Sequence, residues 1–284
     1  MSAPLPLPEP TDVEIDGAVI ATRVLEPTAT PVGDVVLCHG TPWSSRVWSR
    51  VAHDLSRGYR VFLWDMPGYG QSTKDPAVLV DLRSQMKRLT ELLAQWDVDR
   101  PHMVAHDVGG AVALGAHLLH GVEYRDVFLW DIVTLDPWGS SFFRLVADNP
   151  QVFAALPPAL HAALVTEYIA GAVNHNLPAS DVAALAQPWL DAVGQAAFYR
   201  QIASLSPADT RPVAQHLGEM RCPVRIGWGS RDPWIPVQQA YELQAALPGT
   251  PSVIELDDVG HLAPVESSSA VSQALRDWFS DGSQ

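Results

Sequence analysis

The sequence predicts an α/β fold, a mostly parallel, doubly wound sheet with an inserted helical cap. Three observations carry this. Short β-rich runs recur along the chain, most of them continuously apolar, as strands buried on both faces are. Helical patterns with apolar residues three and four apart lie between them. One stretch, about 137–211, breaks the alternation: it is rich in Ala, Leu and Pro and holds no convincing strand. Strands alternating with helices imply parallel pairing through crossover connections.

The elements follow in order. Asp16-Gly17 separates strand-like runs at 13–15 and 18–24 and predicts a hairpin. Continuous strand runs follow at 34–38, 59–64, 102–105, 127–131, 224–228 and 252–256. A helix is expected over 79–96, where Leu82, Met86, Leu89, Leu93 and Trp96 form one apolar stripe. Further helices are expected over 108–119, 237–247 and 265–279, and within the strandless stretch over 158–173, 179–186 and 189–204. The implied organisation is a flexible Pro-rich tail (1–12), a core (13–137 and 211–284) and a helical cap (138–210).

The chain of 284 residues is long enough for one large α/β domain with such an insertion. Hydrophobic residues make up 47% and charged residues 18%, which argues against disorder. A formal net charge of −14 repels phosphate backbones, so nucleic acid is not an expected partner. No apolar run approaches a membrane span, and no membrane partner is expected. The segment MSAPLPLPEP lacks the basic and apolar regions of a signal peptide, and its four prolines suggest an extended tail. Cys38 and Cys222 make neither a disulfide framework nor a zinc spacing, so the expected setting is reducing and cytoplasmic.

The chemistry centres on Ala105-His106-Asp107-Val108-Gly109-Gly110, at the end of one strand run and the start of a helix. The nucleophile elbow has the pattern G-x-S-x-G in this context. Here Asp107 stands at the serine position, and Ala105, small enough for the turn, replaces the first glycine. A carboxylate is a weak acyl-transfer nucleophile, but it can displace a leaving group at saturated carbon and form an ester. A base is then needed to direct water at that ester. Alternatively, Asp107 merely caps the helix behind it.

Three other segments complete the set. His39-Gly40-Thr41-Pro42 follows a strand run, where the backbone amide of Thr41, with that of Val108, can hold an oxyanion. His39 and His106 read as structural. Gly229-Ser230-Arg231-Asp232-Pro233 places an acid, and Val259-Gly260-His261-Leu262 a base, each just past a strand run. The order Asp107, Asp232, His261 matches nucleophile, acid, base. Asp131 also ends a strand run and is the alternative triad acid. Asp65 to Ser72 is glycine-rich but has no Lys-Ser or Lys-Thr, so it is a shaping turn and no P-loop.

These motifs together resemble the α/β-hydrolase superfamily, and specifically its aspartate-nucleophile branch of epoxide hydrolases and dehalogenases. The likeness covers about 13–137 and 211–280 and implies the α/β-hydrolase fold. Haloalkane dehalogenases carry a halide clamp where this chain has Val108 and Thr41, so Trp43, Trp130 or Trp138 would have to replace it. Fluoroacetate dehalogenases carry arginines where this chain has Val108 and Ala111. Epoxide hydrolases carry two cap tyrosines that protonate the opening ring, which the resemblance assigns to Tyr199, in a Tyr-Arg pair, and Tyr168. Epoxide hydrolases usually have an aromatic residue in place of Thr41 and Trp in place of Val108, and there the chain departs from the pattern.

The expectation is a hydrolase acting through an alkyl-enzyme ester on Asp107, foremost an epoxide hydrolase. His261, oriented by Asp232, would activate water. The substrate would be a small apolar molecule lined by Trp43, Phe142, Phe143 and Trp189, with no metal or organic cofactor. The alternatives are a dehalogenase with a non-standard halide site and a non-hydrolytic member of the fold, either a biosynthetic cyclase or lyase or a ligand-binding protein.

Overall fold

The computed structural model describes residues 6–281. Eight strands form one sheet: β1 (Thr11–Ile15), β2 (Ala18–Leu25), β3 (Asp34–Cys38), β4 (Arg60–Trp64), β5 (His102–His106), β6 (Asp126–Trp130), β7 (Val224–Gly229) and β8 (Val253–Leu256). Their order across the sheet is β1-β2-β4-β3-β5-β6-β7-β8. β1 and β2 form the expected hairpin, and β2 meets β4 antiparallel. All remaining pairs are parallel. The central strands β5 and β6 are buried at every position, which is why their sequences do not alternate.

The helices α1 (Ser49–Leu55), α2 (Leu82–Gln95) and α3 (Val108–His120) precede β6. Between β6 and β7 the chain runs through α4 (Ser141–Asp148), α5 (Pro150–Ala154), α6 (Pro158–Ala170), α7 (Ala179–Ala186), α8 (Ala192–Ser204) and α9 (Pro207–Gln215), with no strand. After β7 come α10 (Gln238–Ala246), α11 (Ala263–Glu266) and α12 (Ser268–Asp281). α2 packs on α3 and α1 on α12, flanking the sheet. Side-chain caps set several starts: Asp81 accepts from Ser84 N at 3.0 Å, Ser140 from Phe143 N at 3.1 Å, and Asp191 from Gly194 N at 2.6 Å.

Three expectations need correction. The helix expected over 265–279 is two helices, broken where Ser267 leaves helical geometry at φ −132°. Asp131 lies just beyond β6, in the left-handed region at φ 46°. The tail expected over 1–12 lies partly outside the described residues, but from Pro6 onward it is tethered. His53 Nε2 donates to Pro6 O at 3.0 Å, Arg23 Nε donates to Pro8 O at 3.0 Å, and β1 begins at Thr11. Prolines lack a donor but keep their carbonyl acceptors.

The topology fixes where chemistry can occur. β4 lies on one side of β3 and β5 on the other, so connections leaving β3 and β5 run in opposite directions. A crevice forms beyond the carboxyl ends of strands at such a reversal. The Thr41 loop follows β3 and Asp107 follows β5, at the two lips of that crevice.

Candidate active site

Asp107 sits between β5 and α3 with φ 54° and ψ −132°. A non-glycine residue held there stores roughly 1–3 kcal/mol of strain, offset by the packed strand and helix on either side. The turn lifts the carboxylate to the crevice. Gly40 is required opposite it, because a Cβ there would lie 2.3 Å from Asp107 Cβ and Oδ1. With that gap open, Thr41 N donates to Asp107 Oδ1 at 2.6 Å. Val108 opens α3, so its amide is one of the N–H groups without an intrahelical acceptor.

Asp107 Oδ2 faces His261 Nε2 at 3.3 Å. The contact is an ion pair at the long end of the hydrogen-bond range. On its other side, His261 Nδ1 meets Asp232 Oδ2 at 2.8 Å. Asp232 Oδ1 is held by the amides of Trp234 and Ile235, at 2.7 and 2.8 Å. The structure thus brings together Asp107, His261 and Asp232 from three separate loops. Burial alone would depress the His261 imidazole, but Asp232, with Asp107 beyond it, overcomes this and holds it well above the usual histidine value.

Asp131 belongs to the same cluster without taking the acid's place. One ligand-type atom from each of Asp131, Asp232 and His261 lies within 4.8 Å of the others. Asp131 is fully buried and its Oδ1 accepts from Gly229 N at 2.7 Å. Burial first, and Asp232 next, push its carboxyl well above the usual range. The residue in contact with the imidazole is Asp232.

The other two histidines serve the frame. His39 Nε2 accepts from Met66 N at 2.9 Å, which leaves Nδ1 to donate to Gly40 O at 2.8 Å. His106 Nε2 donates to His261 O at 2.8 Å, and burial lowers its imidazole to about 3, keeping it neutral. His106 therefore supports the backbone of His261 from below.

A narrow cavity opens over Asp107, lined by Thr41, Val108, Val133, Trp138, Gly139, Ser140, Phe143, Tyr168, Trp234 and Ile235. Its walls are apolar or aromatic apart from Asp107 and a few hydroxyls, which suits a small neutral ligand. Of the expected lining residues only Phe143 is on this wall. Trp43 stacks behind Trp234 with ring centres 5.8 Å apart, and Phe142 packs against Tyr168 at 5.1 Å. Trp189 is buried and donates its indole N–H to Pro42 O at 3.0 Å.

The two cap tyrosines part company. Tyr168, on α6, lines the cavity, and burial first, then Asp107, raises its phenol. Tyr199, on α8, does not reach it. Its hydroxyl is at 2.8 Å from His161 Nδ1, and His161 Nε2 is at 2.8 Å from Trp189 O. With Nε2–H donated to that carbonyl, Nδ1 accepts from Tyr199, which is an internal brace of the cap. Two residues further, about 200° around the helix, the buried Gln201 points the other way. Its Oε1 accepts from Thr41 Oγ1 at 2.6 Å and from Tyr69 OH at 2.8 Å. Sequence reading missed Gln201 because a buried glutamine carries no motif. Trp234 and Ile235 were within reach of it, since they follow the triad acid directly.

The fold and this constellation define an α/β hydrolase. The profile of the Alpha/beta hydrolase family matches residues 35–274, and the chain belongs to that family. It is similar to a crystal structure of an alpha/beta hydrolase fold protein from Burkholderia ambifaria, with a TM-score of 0.89 and 38% identity over 94% of this chain and 97% of that one. An uncharacterized protein of Mycobacterium tuberculosis is 27% identical over 243 residues, and the chain spans 66% of the length of that relative. An epoxide hydrolase of Caballeronia sordidicola is 26% identical over 314 aligned positions, covering 93% of this chain and 91% of that protein.

Proposed function

We propose that the protein is a two-step hydrolase that forms an alkyl ester on Asp107, and that its substrate is a small, apolar epoxide. The observation that carries this is the setting of the Asp107 carboxylate. Oδ1 rests on the Thr41 amide at 2.6 Å, Oδ2 faces His261 at 3.3 Å, and Tyr168 lines the same cavity.

In the first step Asp107 Oδ2 attacks a ring carbon, the C–O bond breaks, and Tyr168 protonates the leaving oxygen. An alkoxide is a poor leaving group, so a positioned proton donor lowers this barrier. In the second step His261, oriented by Asp232, takes a proton from water as the water attacks the Asp107 carbonyl carbon. The amides of Thr41 and Val108 hold the oxyanion on Oδ1. Collapse releases a vicinal diol and regenerates the carboxylate.

A tyrosine donor supports the epoxide over the halide reading. Departing halide needs N–H donors at the cavity. Of the three tryptophans that could replace the missing clamp, only Trp138 lines it, and its indole donates to Thr210 Oγ1 at 3.0 Å; the remaining indole on the wall is that of Trp234. The epoxide hydrolase from Caballeronia sordidicola adds a relative with that activity in its name.

The test is intact mass and peptide mapping of the His261→Gln variant after exposure to an aryl epoxide or a bromoalkane. A gain of the whole epoxide mass on Asp107 is the expected result. A gain of the bromoalkane less HBr, with none from the epoxide, would replace the reading with a dehalogenase. No adduct from either, together with tight retention of an intact apolar ligand by the wild type, would point to a non-hydrolytic role.

A further inference from the structure

The backbone around His261 is bonded to the cap as well as to the core. His261 N donates to Ala172 O at 2.8 Å, just past the end of α6. At the neighbouring position, a Cβ on Gly260 would lie 2.5 Å from Asn174 N and 2.7 Å from Val173 Cα, so the two chain segments pass in direct backbone contact. Asn174 Nδ2 also donates to Asp258 O at 3.0 Å and to Asp258 Oδ1 at 2.9 Å.

The Glu266 side chain spans this junction as well. Glu266 ends α11, five positions after His261. Its Oε1 accepts from His175 N at 2.8 Å and from Asn174 N at 3.2 Å. Its Oε2 accepts from Gly260 N at 2.8 Å and, more weakly, from Asn174 N at 3.3 Å. A single carboxylate thus gathers amides from the cap and from the residue immediately before His261. Hydrogen bonds to a charged acceptor are the stronger kind, and the two oxygens of one carboxylate keep a fixed separation.

We infer that Glu266 is a positioning residue that ties the cap to the base loop and so fixes His261 relative to Tyr168. The inference rests on the proposed reading for the roles of those two residues, and on the hydrogen bonds alone for the tie. α6 carries Tyr168, and the chain that follows α6 supplies Ala172, Asn174 and His175. The group that would protonate the leaving oxygen and the group that would activate water are therefore held across one junction, which Glu266 spans with both carboxylate oxygens. A cap that shifts without Glu266 shifts Tyr168 away from the substrate and releases His261 from Asp232.

The experiment compares wild type with Glu266→Gln and Glu266→Ala in the full chain. Glutamine keeps the volume but replaces one accepting oxygen by a donor, which must face an amide N–H. Amide exchange, read by mass spectrometry, is expected to rise about tenfold over 171–176 and 257–262, with the sheet unchanged. The nitrogen-15 titration of the His261 ring is expected to move to lower pH, because the imidazole drifts from the carboxylates that hold its proton. In turnover, ester hydrolysis is expected to slow on the order of tenfold to a hundredfold with a smaller change in KM. Should either variant lose thermal stability while the His261 titration and the exchange at 257–262 stay as in wild type, Glu266 is only a structural contact and the inference fails. Should Glu266→Ala not fold, Glu266→Gln alone decides. If neither epoxide nor bromoalkane alkylates the protein, the proposed function falls, while titration and exchange still decide the role of Glu266.

Discussion

Replacing the two cap tyrosines one at a time separates their roles. Tyr168→Phe removes the hydroxyl of a residue that lines the cavity over Asp107 and leaves the ring. A positioned general acid contributes about a hundredfold to ten-thousandfold, which is about 3–5 kcal/mol of barrier. Alkylation of Asp107 by an epoxide, followed by rapid quench in the His261→Gln background, is expected to slow by that factor. Alkylation by a bromoalkane, if the cavity admits one, needs no proton donor and is expected to change only severalfold. Tyr199→Phe removes the partner of His161 Nδ1 and leaves it unpaired in a buried place. Its expected effect is a loss of about 1–3 kcal/mol of stability, seen as a lower melting temperature, with epoxide alkylation nearly unchanged. The reasoning is refuted if Tyr199→Phe stops ring opening while its melting temperature is unchanged, or if Tyr168→Phe opens epoxides at the wild-type rate.

Further outcomes follow from the same geometry. Gly40→Ala forces a methyl group to within 2.3 Å of the Asp107 side chain; the circular dichroism spectrum is expected to persist while alkylation falls about a hundredfold or more. His261 is held above its usual pKa, so the native state binds more protons than the unfolded chain. Its stabilising contribution is full below about pH 6.5 and is lost as pH rises through the folded-state value. Melting temperature measured from pH 6.5 upward should therefore decline less steeply in His261→Gln than in wild type. Asp131 is shifted the same way, with its contribution full below about pH 3.9 and lost at higher pH. Asp131→Asn, which keeps the shape without a titrating proton, should flatten the slope above that pH, and a slope equal to that of wild type would mean that Asp131 is ionised in the native protein.

The parts legible in the sequence were those where one residue type has one local use. The strand run at 34–38 is β3 to the residue, because a continuous β-rich segment bounded by Gly33 and His39-Gly40 has no competing reading. Asp107, Asp232 and His261 each follow a strand, and parallel topology places all strand carboxyl ends on one edge, so their convergence needed only the order of motifs. The cap resisted the same treatment. α4, α5 and α9 were not foreseen: α4 and α5 are too short to show a clear period, and Pro212 inside α9 argues against a helix, whereas Pro150 and Pro207 stand in first turns, where proline's missing N–H costs little. Tyr199 was expected in the site on the strength of a dipeptide, but the face that α8 turns toward the core is set by packing. The rotation that buries Tyr199 on His161 brings Gln201 to Thr41 instead. Such a choice is a matter of degrees around a helix axis, which spacing alone does not carry.

The charge arrangement gives the proposed steps an order. In the resting site His261 stands between Asp107 and Asp232, whose carboxylates hold its imidazole above the usual value, and a protonated imidazole cannot act as a base. Alkylation changes this, because the ester on Asp107 is neutral and one of the carboxylates that raised His261 is gone. Burial, which opposes the charge, remains. Loss of the Asp107 charge thus shifts His261 toward its neutral, basic form at the step that needs it, while Asp232 continues to orient it. The proton it gives up also has a destination when the substrate is an epoxide: the opened oxygen takes one proton from Tyr168, and His261 can restore it. A departing halide takes no proton, so the buried imidazole would have to release its own to solvent before the second step. This balance, as much as the missing halide clamp, favours a leaving group that stays attached to the alkyl chain and accepts a proton.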